Sequence, residues 1–204
     1  MNTAPPKGSR PRRLVAVWFA DICGFTSLFA ADEPLALRLV DVFRTVAQGA
    51  TAVHGGSVVK FMTDAVLAEF SSVGGAATAA IQLQRHFTQV TQGWARGPHR
   101  LRVGVHLGDI AVAADGDLYG DGVNRASRVQ RMAEPGQVLV SEDVFRQLRQ
   151  RVHLCCTDVG SRRVKGIEEP IQVYRLEPGA RVARQLPSFA TAANQEDIAA
   201  LSGP

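Results

Sequence analysis

Leu14-Val15-Ala16-Val17-Trp18-Phe19-Ala20-Asp21-Ile22-Cys23-Gly24-Phe25-Thr26-Ser27 sets the architecture of this chain. Residues 14–20 are apolar without alternation, the pattern of a strand buried on both faces. A carboxylate, a Gly-containing loop and a helix follow. Leu35, Leu39, Val42, Val46 and Val53 then recur at helical spacing, and Gly55-Gly56 stops that helix. Residues 57–61 and 65–70 read as two strands joined by a tight turn at Met62-Thr63-Asp64, with Asp64 at its tip. The Ala-rich stretch 76–90 is helical. Leu101, Val103, Val105 and Leu107 alternate with Arg100, Arg102, Gly104 and His106, as in a strand with one buried face. Residues 110–114 continue as a strand, and Asp115-Gly116-Asp117 turns the chain. Asp121 is the expected N-cap of a helix reaching about Ala133. Short strands at 138–140, 152–157 and 171–176 and a short helix from Ser141 complete the chain's order. The sequence β-α-β-β-α-β, then further α and β elements, gives an α/β (α+β) fold on a ferredoxin-like βαββαβ core.

The chain of 204 residues carries 23 basic and 19 acidic side chains. Lys7, Arg10, Arg12 and Arg13 fall in residues 1–13, which hold no acid; 23 less these 4 leaves 19 basic against 19 acidic. The body is therefore formally neutral, which argues against a nucleic-acid-binding face. Residues 1–13 are expected to form a basic flexible arm, 14–177 the folded domain, and 178–204 a tail or linker. No apolar run reaches the ~18 residues of a membrane span, and no signal peptide is expected. The cysteines are Cys23, Cys155 and Cys156, an odd count that makes no disulfide framework, so a cytoplasmic setting is expected.

Three segments hold the polar residues suited to chemistry. Asp21 and Asp64 place two hard oxygen ligands at strand ends, suited to Mg²⁺ or Mn²⁺ carried by a triphosphate. Each alone also reads as a helix cap or turn residue. On a helix at 100° per residue, Asn124, Arg128 and Arg131 share one side, while Val123, Ala126, Val129 and Ala133 share another that can face the core. Asn124 and Arg128 can then act on one ligand together.

Five blocks carry a resemblance: VAVWFADICGFTSL (15–28), GGSVVKFMTDAVLAEF (55–70), LRVGVHLGDI (101–110), GDLYGDGVNRASRVQRMAEPGQVLVSE (116–142) and VKGIEEPIQVYRL (164–176). In this order they resemble the catalytic domain of the class III adenylyl cyclases. The resemblance implies conversion of ATP to 3′,5′-cyclic AMP and pyrophosphate with two divalent metal ions, Mg²⁺ or Mn²⁺. It implies that Asp21 and Asp64, with Ile22, bind metal, and that Gly24, Phe25 and Thr26 line the phosphate loop. It implies that Lys60 and Asp117 read the base, Asn124 positions the ribose, Arg128 stabilises the transition state and Lys165 contacts the triphosphate. Asp117, seven residues before Asn124, fits that spacing and Asp115 does not. The family's sites combine metal aspartates of one chain with the remaining groups of its partner, so a head-to-tail homodimer with two equivalent sites is expected.

Base choice has a chemical rationale. Asp117 can only accept and Lys60 can only donate, matching the adenine N6 amino group and N1. Guanine presents O6 and N1–H in the opposite sense, which disfavours guanylyl cyclase specificity. Where the family usually has Gly before the second metal aspartate, this chain has Thr63, a β-branched residue that dislikes positive φ. A degenerate nucleotide-binding or regulatory module without turnover is the alternative, although none of the six polar positions is lost. Cys23 reads as a small buried residue, His106 as a core-edge residue, Cys155-Cys156 as a packed strand pair and Arg162-Arg163 as solvated.

Overall fold

The computed structural model of the chain describes residues 11–149, 154–163 and 169–179. Strand β1 (Arg12–Ile22) leads through α1 (Phe25–Ala31) and α2 (Glu33–Val53) to the hairpin of β2 (Gly56–Met62) and β3 (Ala65–Phe70). Helix α3 (Val73–Val90) returns the chain to β4 (Leu101–Val112), and a short β5 (Leu118–Tyr119) precedes α4 (Asp121–Arg131). The remainder is β6 (Val138–Ser141), α5 (Glu142–Leu148), β7 (Leu154–Arg162) and β8 (Ile171–Pro178).

The sheet order is β2-β3-β1-β4-β6-β8-β7, with β5 paired to β4. Its first four strands are the antiparallel order of a ferredoxin-like core, with α1–α2 and α3 as the two crossovers. β6 joins parallel to β4, and β8 and β7 extend the sheet antiparallel. Central β1 is covered on both sides, which accounts for its unbroken apolar run. Ala16, Trp18, Ala20 and Ile22 pack beneath α2 and α3 in the main core. Val15 and Val17, with Phe19 against them, face the opposite side, with Leu67, Ile110, Leu118 and Ala126.

Local chemistry explains the helices. The Asp32 side chain accepts the Leu35 N–H at 3.1 Å, and Glu33 and Pro34 open α2 behind it. Leu35, Leu39, Val42 and Val46 are buried as expected, but Val53, in the last turn of α2, is 51% exposed. Ser72 caps α3 through the Gly75 N–H, so that helix begins at Val73, three residues before the Ala-rich stretch.

Other boundaries move for identifiable reasons. β1 starts at Arg12, so Arg12 and Arg13 belong to the sheet rather than to the basic arm. Arg12 pairs with Asp109 at 2.6 Å and Arg13 with Glu69 at 2.6 Å. The segment 110–112 is the end of one long β4, held by β5. Gly120, not Asp121, is the N-cap of α4; Asp121 sits in the first turn and pairs with Arg125 at 2.5 Å. β7 runs to Arg162, with Cys155 exposed and Cys156 packed against the core. Residues 1–10, Val152 and Lys165 lie outside the described residues.

Candidate active site

The face of the sheet opposite α2 and α3 gathers the polar residues. Residues directly opposite each other in a sheet share a face, and period two fixes which face that is. Asp21 has the parity of Val17 and Phe19 and therefore lies on the α4 side of β1. Its register partner on β4 is Arg102. Arg102 Nε donates to Asp21 Oδ1 at 3.0 Å, and Nη2 donates to Oδ2 at 2.5 Å, a bidentate fork. The hydrogen bond to Asp21 is the main reason the Arg102 pKa is raised, and the nearby charges of Asp21 and Asp64 add to it. The two aspartate segments are also tied through the backbone: the Ile22 N–H donates to the Asp64 carbonyl at 2.9 Å. Next to them the Cys23 N–H donates to the Arg100 carbonyl at 2.9 Å, and Gly24, at φ 72°, caps α1. Phe25 is buried beneath this loop and Thr26 is exposed.

Thr63 fits its turn without strain. Among the described residues the one non-glycine with positive φ is Arg96, so the Asp64 turn keeps negative φ at Thr63. No cluster of three or more His, Cys, Asp or Glu side chains forms among the described residues. Asp21 and Asp64 are the carboxylates carried by these two hydrogen-bonded segments. Two carboxylates suit an ion that completes its shell with triphosphate oxygens.

Lys60 reaches its place by a one-residue slip. The β2–β3 register shifts between Val58 and Lys60. Val58 packs with the main core, whereas Lys60 stands opposite Leu67, which belongs to the α4-side cluster. Regular alternation from Val58 would have pointed Lys60 beneath the helices. The bulge turns it to the other face. There the β4–β5 arm folds over the sheet, with Ile110 and Leu118 packed on Val15, Val17 and Leu67. That arm brings Asp117 to Lys60, at 2.8 and 2.6 Å from Nζ to the two carboxylate oxygens. Asp117 also accepts its neighbour's Leu118 N–H at 2.8 Å, and Asp115 supports the turn by accepting the Asp117 N–H at 3.1 Å. The Lys60 hydrogen bond, chiefly, holds the Asp117 carboxyl below its ordinary pKa, with the Leu118 N–H and Tyr119 hydroxyl contributing. Asp117 is therefore an ionised acceptor at neutral pH.

Helix α4 lies directly on β4 because two glycines admit it. A Cβ on Gly104 would stand 2.1 Å from the Gln130 N and 2.4 Å from its Cα; one on Gly108 would stand 2.8 Å from the Gly122 Cα. Ala126 and Val129 are fully buried and Ala133 nearly so; Asn124 and Arg131 are exposed and Arg128 is half-buried. The polar side of α4 thus carries Asn124 and Arg128 one turn apart, as the spacing predicts.

Two titratable groups flank this face. Burial pushes the Cys23 thiol up to about 11, so it is a thiol rather than a nucleophilic thiolate. Burial lowers His106 to about 4, and its Nδ1 pairs with Ser141 Oγ at 2.8 Å. Arg102 and Gly104 are the residues that sequence reasoning passed over. Their signal was present in the alternation of residues 100–107, but only the β1–β4 register reveals that Arg102 faces Asp21.

The family model for the adenylate and guanylate cyclase catalytic domain matches residues 9–178. The chain belongs to that family. A curated relative from Rhizobium meliloti (strain 1021) is 36% identical over 186 residues, covering 90% of this chain and 31% of its own length. A protein named Adenylate cyclase, from Streptomyces coelicolor, is 31% identical over 173 residues, covering 81% of this chain and 44% of that protein. The chain thus spans less than half the length of these cyclase-family relatives. Among solved structures, the adenylate/guanylate cyclase/hydrolase from Silicibacter pomeroyi superposes with TM-score 0.70 at 35% identity, covering 83% of this chain and 99% of that one. The adenylyl cyclase CyaB from P. aeruginosa superposes with TM-score 0.74 at 27% identity, covering 85% and 98%. The cyclase-domain fold expected from the five blocks is therefore the fold observed.

Proposed function

We propose that this chain is an adenylyl cyclase that converts ATP to 3′,5′-cyclic AMP and pyrophosphate at the interface of a head-to-tail homodimer. The observation that carries this reading is the Lys60–Asp117 pair. Two residues from distant strands are brought to hydrogen-bond contact by a bulge and a folded-over arm, on the same sheet face as Asp21. An exposed ion pair contributes only ~0–1 kcal/mol to stability. A bulge and arm that serve such a pair are better explained by ligand recognition. Ionised Asp117 accepts the adenine N6 amino group and Lys60 donates to N1.

In this reading Asn124 orients the ribose so that its 3′-OH is in line with the α-phosphorus. The 3′-OH gives up its proton to solvent, the 3′ oxygen forms the new P–O bond, the bond to the β-phosphate oxygen breaks, and pyrophosphate leaves with those electrons. Arg128 stabilises charge spread over the α-phosphoryl oxygens, a role in which arginines contribute ~10³–10⁵ in rate. Arg102, standing against Asp21, is positioned to pair with triphosphate oxygens, and Gly24, Phe25, Thr26 and Lys165 complete the triphosphate contacts. Asp21, Ile22 and Asp64 would hold two divalent ions, Mg²⁺ or Mn²⁺; bound there, these supply Lewis-acid polarisation and a lowered 3′-OH pKa. The aspartates of one protomer serve one site, and its Lys60, Asp117, Asn124 and Arg128 serve the other.

No helix among the described residues is long and apolar enough to cross a membrane. The cytoplasm, where ATP and Mg²⁺ are supplied, is the proposed setting. The test is to incubate purified protein with ATP, GTP, CTP or UTP and Mg²⁺ or Mn²⁺ and to identify cyclic products. Cyclic AMP from ATP is expected; cyclic GMP alone, or no cyclic product with either metal, contradicts the proposal.

A further inference from the structure

The β4–β5 hairpin carries one more polar group beside Asp117. Ala111 pairs with Tyr119 and Val112 with Leu118, and the Ala113 N–H donates to the Asp117 carbonyl at 2.9 Å. Side chains alternate along such a ladder, so Asp117 and Tyr119 share one face of the hairpin and Leu118 takes the other. Leu118 packs into the α4-side cluster with Ile110, Val15, Val17 and Leu67. Tyr119 is 45% exposed, and its ring belongs to none of the hydrophobic clusters among the described residues. Packing therefore gives no reason for an aromatic residue at this position. Its hydroxyl does have a partner: it hydrogen-bonds the Asp117 carboxylate. An ionised carboxylate only accepts, so the phenol is the donor.

The donors around Asp117 fall into two kinds. A carboxylate offers about four acceptor positions. The Leu118 N–H takes one, on Oδ1 at 2.8 Å, and the Tyr119 hydroxyl takes another. Lys60 Nζ fills the rest, at 2.8 Å from Oδ1 and 2.6 Å from Oδ2. Lys60 is itself a base-reading group. Donation to N1 of adenine draws it off the carboxylate and frees a position for the N6 amino group. The Leu118 and Tyr119 donors belong to the hairpin and stay. The carboxylate torsion is broad and two-fold, so a single N–H does not fix its plane. The phenol supplies the second hold once Lys60 turns to the base.

We propose that Tyr119 is a positioning residue for base recognition, its hydroxyl holding the Asp117 carboxylate as an oriented acceptor for the 6-amino group of adenine. This role rests on the adenine reading proposed for Lys60 and Asp117. Tyr119 acts through Asp117 and touches neither the triphosphate nor the reacting atoms. Base reading then divides into two separable parts: Lys60 reads the ring nitrogen, and Asp117 held by Tyr119 reads the exocyclic amine. Removing the hydroxyl costs only what the amine contributes. Hydrogen bonds to charged groups are the stronger class, so that cost is about tenfold in affinity.

The experiment is calorimetric titration of the full chain, with Mn²⁺ present, using two triphosphates that lack the 3′-OH and so cannot cyclise. One is 3′-deoxyadenosine triphosphate; the other is its counterpart with hydrogen in place of the 6-amino group, which keeps N1. Wild-type protein is expected to bind the amino compound about tenfold more tightly or better. Tyr119→Phe keeps the ring and loses the hydroxyl. It is expected to weaken the amino compound about tenfold and to leave the other within about twofold. Unchanged binding of the second compound shows in the same titration that the variant is folded with its site intact. Equal weakening of both compounds, which a general structural role would give, overturns the proposal. So does an amino preference that survives Tyr119→Phe, or wild-type protein that shows no such preference. Turnover is not needed. Protein that binds as expected yet forms no cyclic AMP from ATP refutes the cyclase reading alone, and protein that forms cyclic AMP with a preference indifferent to Tyr119 refutes this proposal alone.

Discussion

Gly104→Ala isolates the packing on which α4, the helix proposed to carry the catalytic Asn124 and Arg128, depends. The new Cβ would stand 2.1 Å from the Gln130 N and 2.4 Å from its Cα, and ordinary contact begins at 3.4 Å. The obstruction is main chain, so no rotamer relieves it, and α4 must retreat by about 1.3 Å at that point. Overpacking of this kind costs ~1–3 kcal/mol, against a total stability of ~5–15 kcal/mol for an ordinary domain, so the variant should remain folded. Asn124 and Arg128 ride on the displaced helix. A misplacement near 1 Å costs about 10²-fold in rate. Urea unfolding paired with kcat for ATP separates the two effects: a modest stability loss and a roughly hundredfold fall in kcat are expected. Wild-type stability and turnover would refute the close α4–β4 contact. Lost stability with unchanged kcat would refute the role given to α4.

Three further outcomes follow from the geometry. Lys60→Glu with Asp117→Cys should weaken ATP use and favour GTP, read as the ratio of kcat/KM values; an unchanged ATP preference removes these residues from base reading. Arg102→Met takes a cation away from the Asp21 carboxylate, so Mn²⁺ should bind nucleotide-free protein more tightly while KM for ATP rises; calorimetry and steady-state kinetics read the two effects, and neither changing contradicts the placement of Arg102. His106, lowered to about 4 by burial, binds fewer protons folded than unfolded between pH 6.5 and 4. Stability from this group is therefore complete above its unfolded pKa and falls as pH drops through that window, by up to about 3 kcal/mol; His106→Gln should flatten this part of the stability–pH curve, and an unchanged slope contradicts the assignment.

Much of the fold was legible because its signals are local. The unbroken apolar run of β1, the Gly55-Gly56 stop and the alternation of residues 101–107 each name an element. Asn124 and Arg128 were legible for the same reason, since helical period alone puts them together. What was not legible depends on register. Alternation places Lys60 on the wrong face, and only the bulge after Val58 corrects it. Arg102 is one of several alternating polar residues until β1 pairs with β4 and sets it opposite Asp21. Gly104 looks like a weak strand residue until α4 is seen lying on it. The concern raised by Thr63 dissolves in a backbone angle that residue identity does not reveal.

The central claim is that each site takes its aspartates from one protomer and its Lys60, Asp117, Asn124 and Arg128 from the other. Asp64→Asn and Arg128→Ala should each be nearly inactive alone. Mixed in equal amounts and allowed to exchange subunits, half of the dimers pair one variant with the other, and each such dimer contains one intact site. Cyclic AMP formation from ATP should then return to roughly a quarter of the wild-type rate. A mixture no more active than its separate components, under conditions where mass spectrometry detects the mixed dimer, contradicts the shared site.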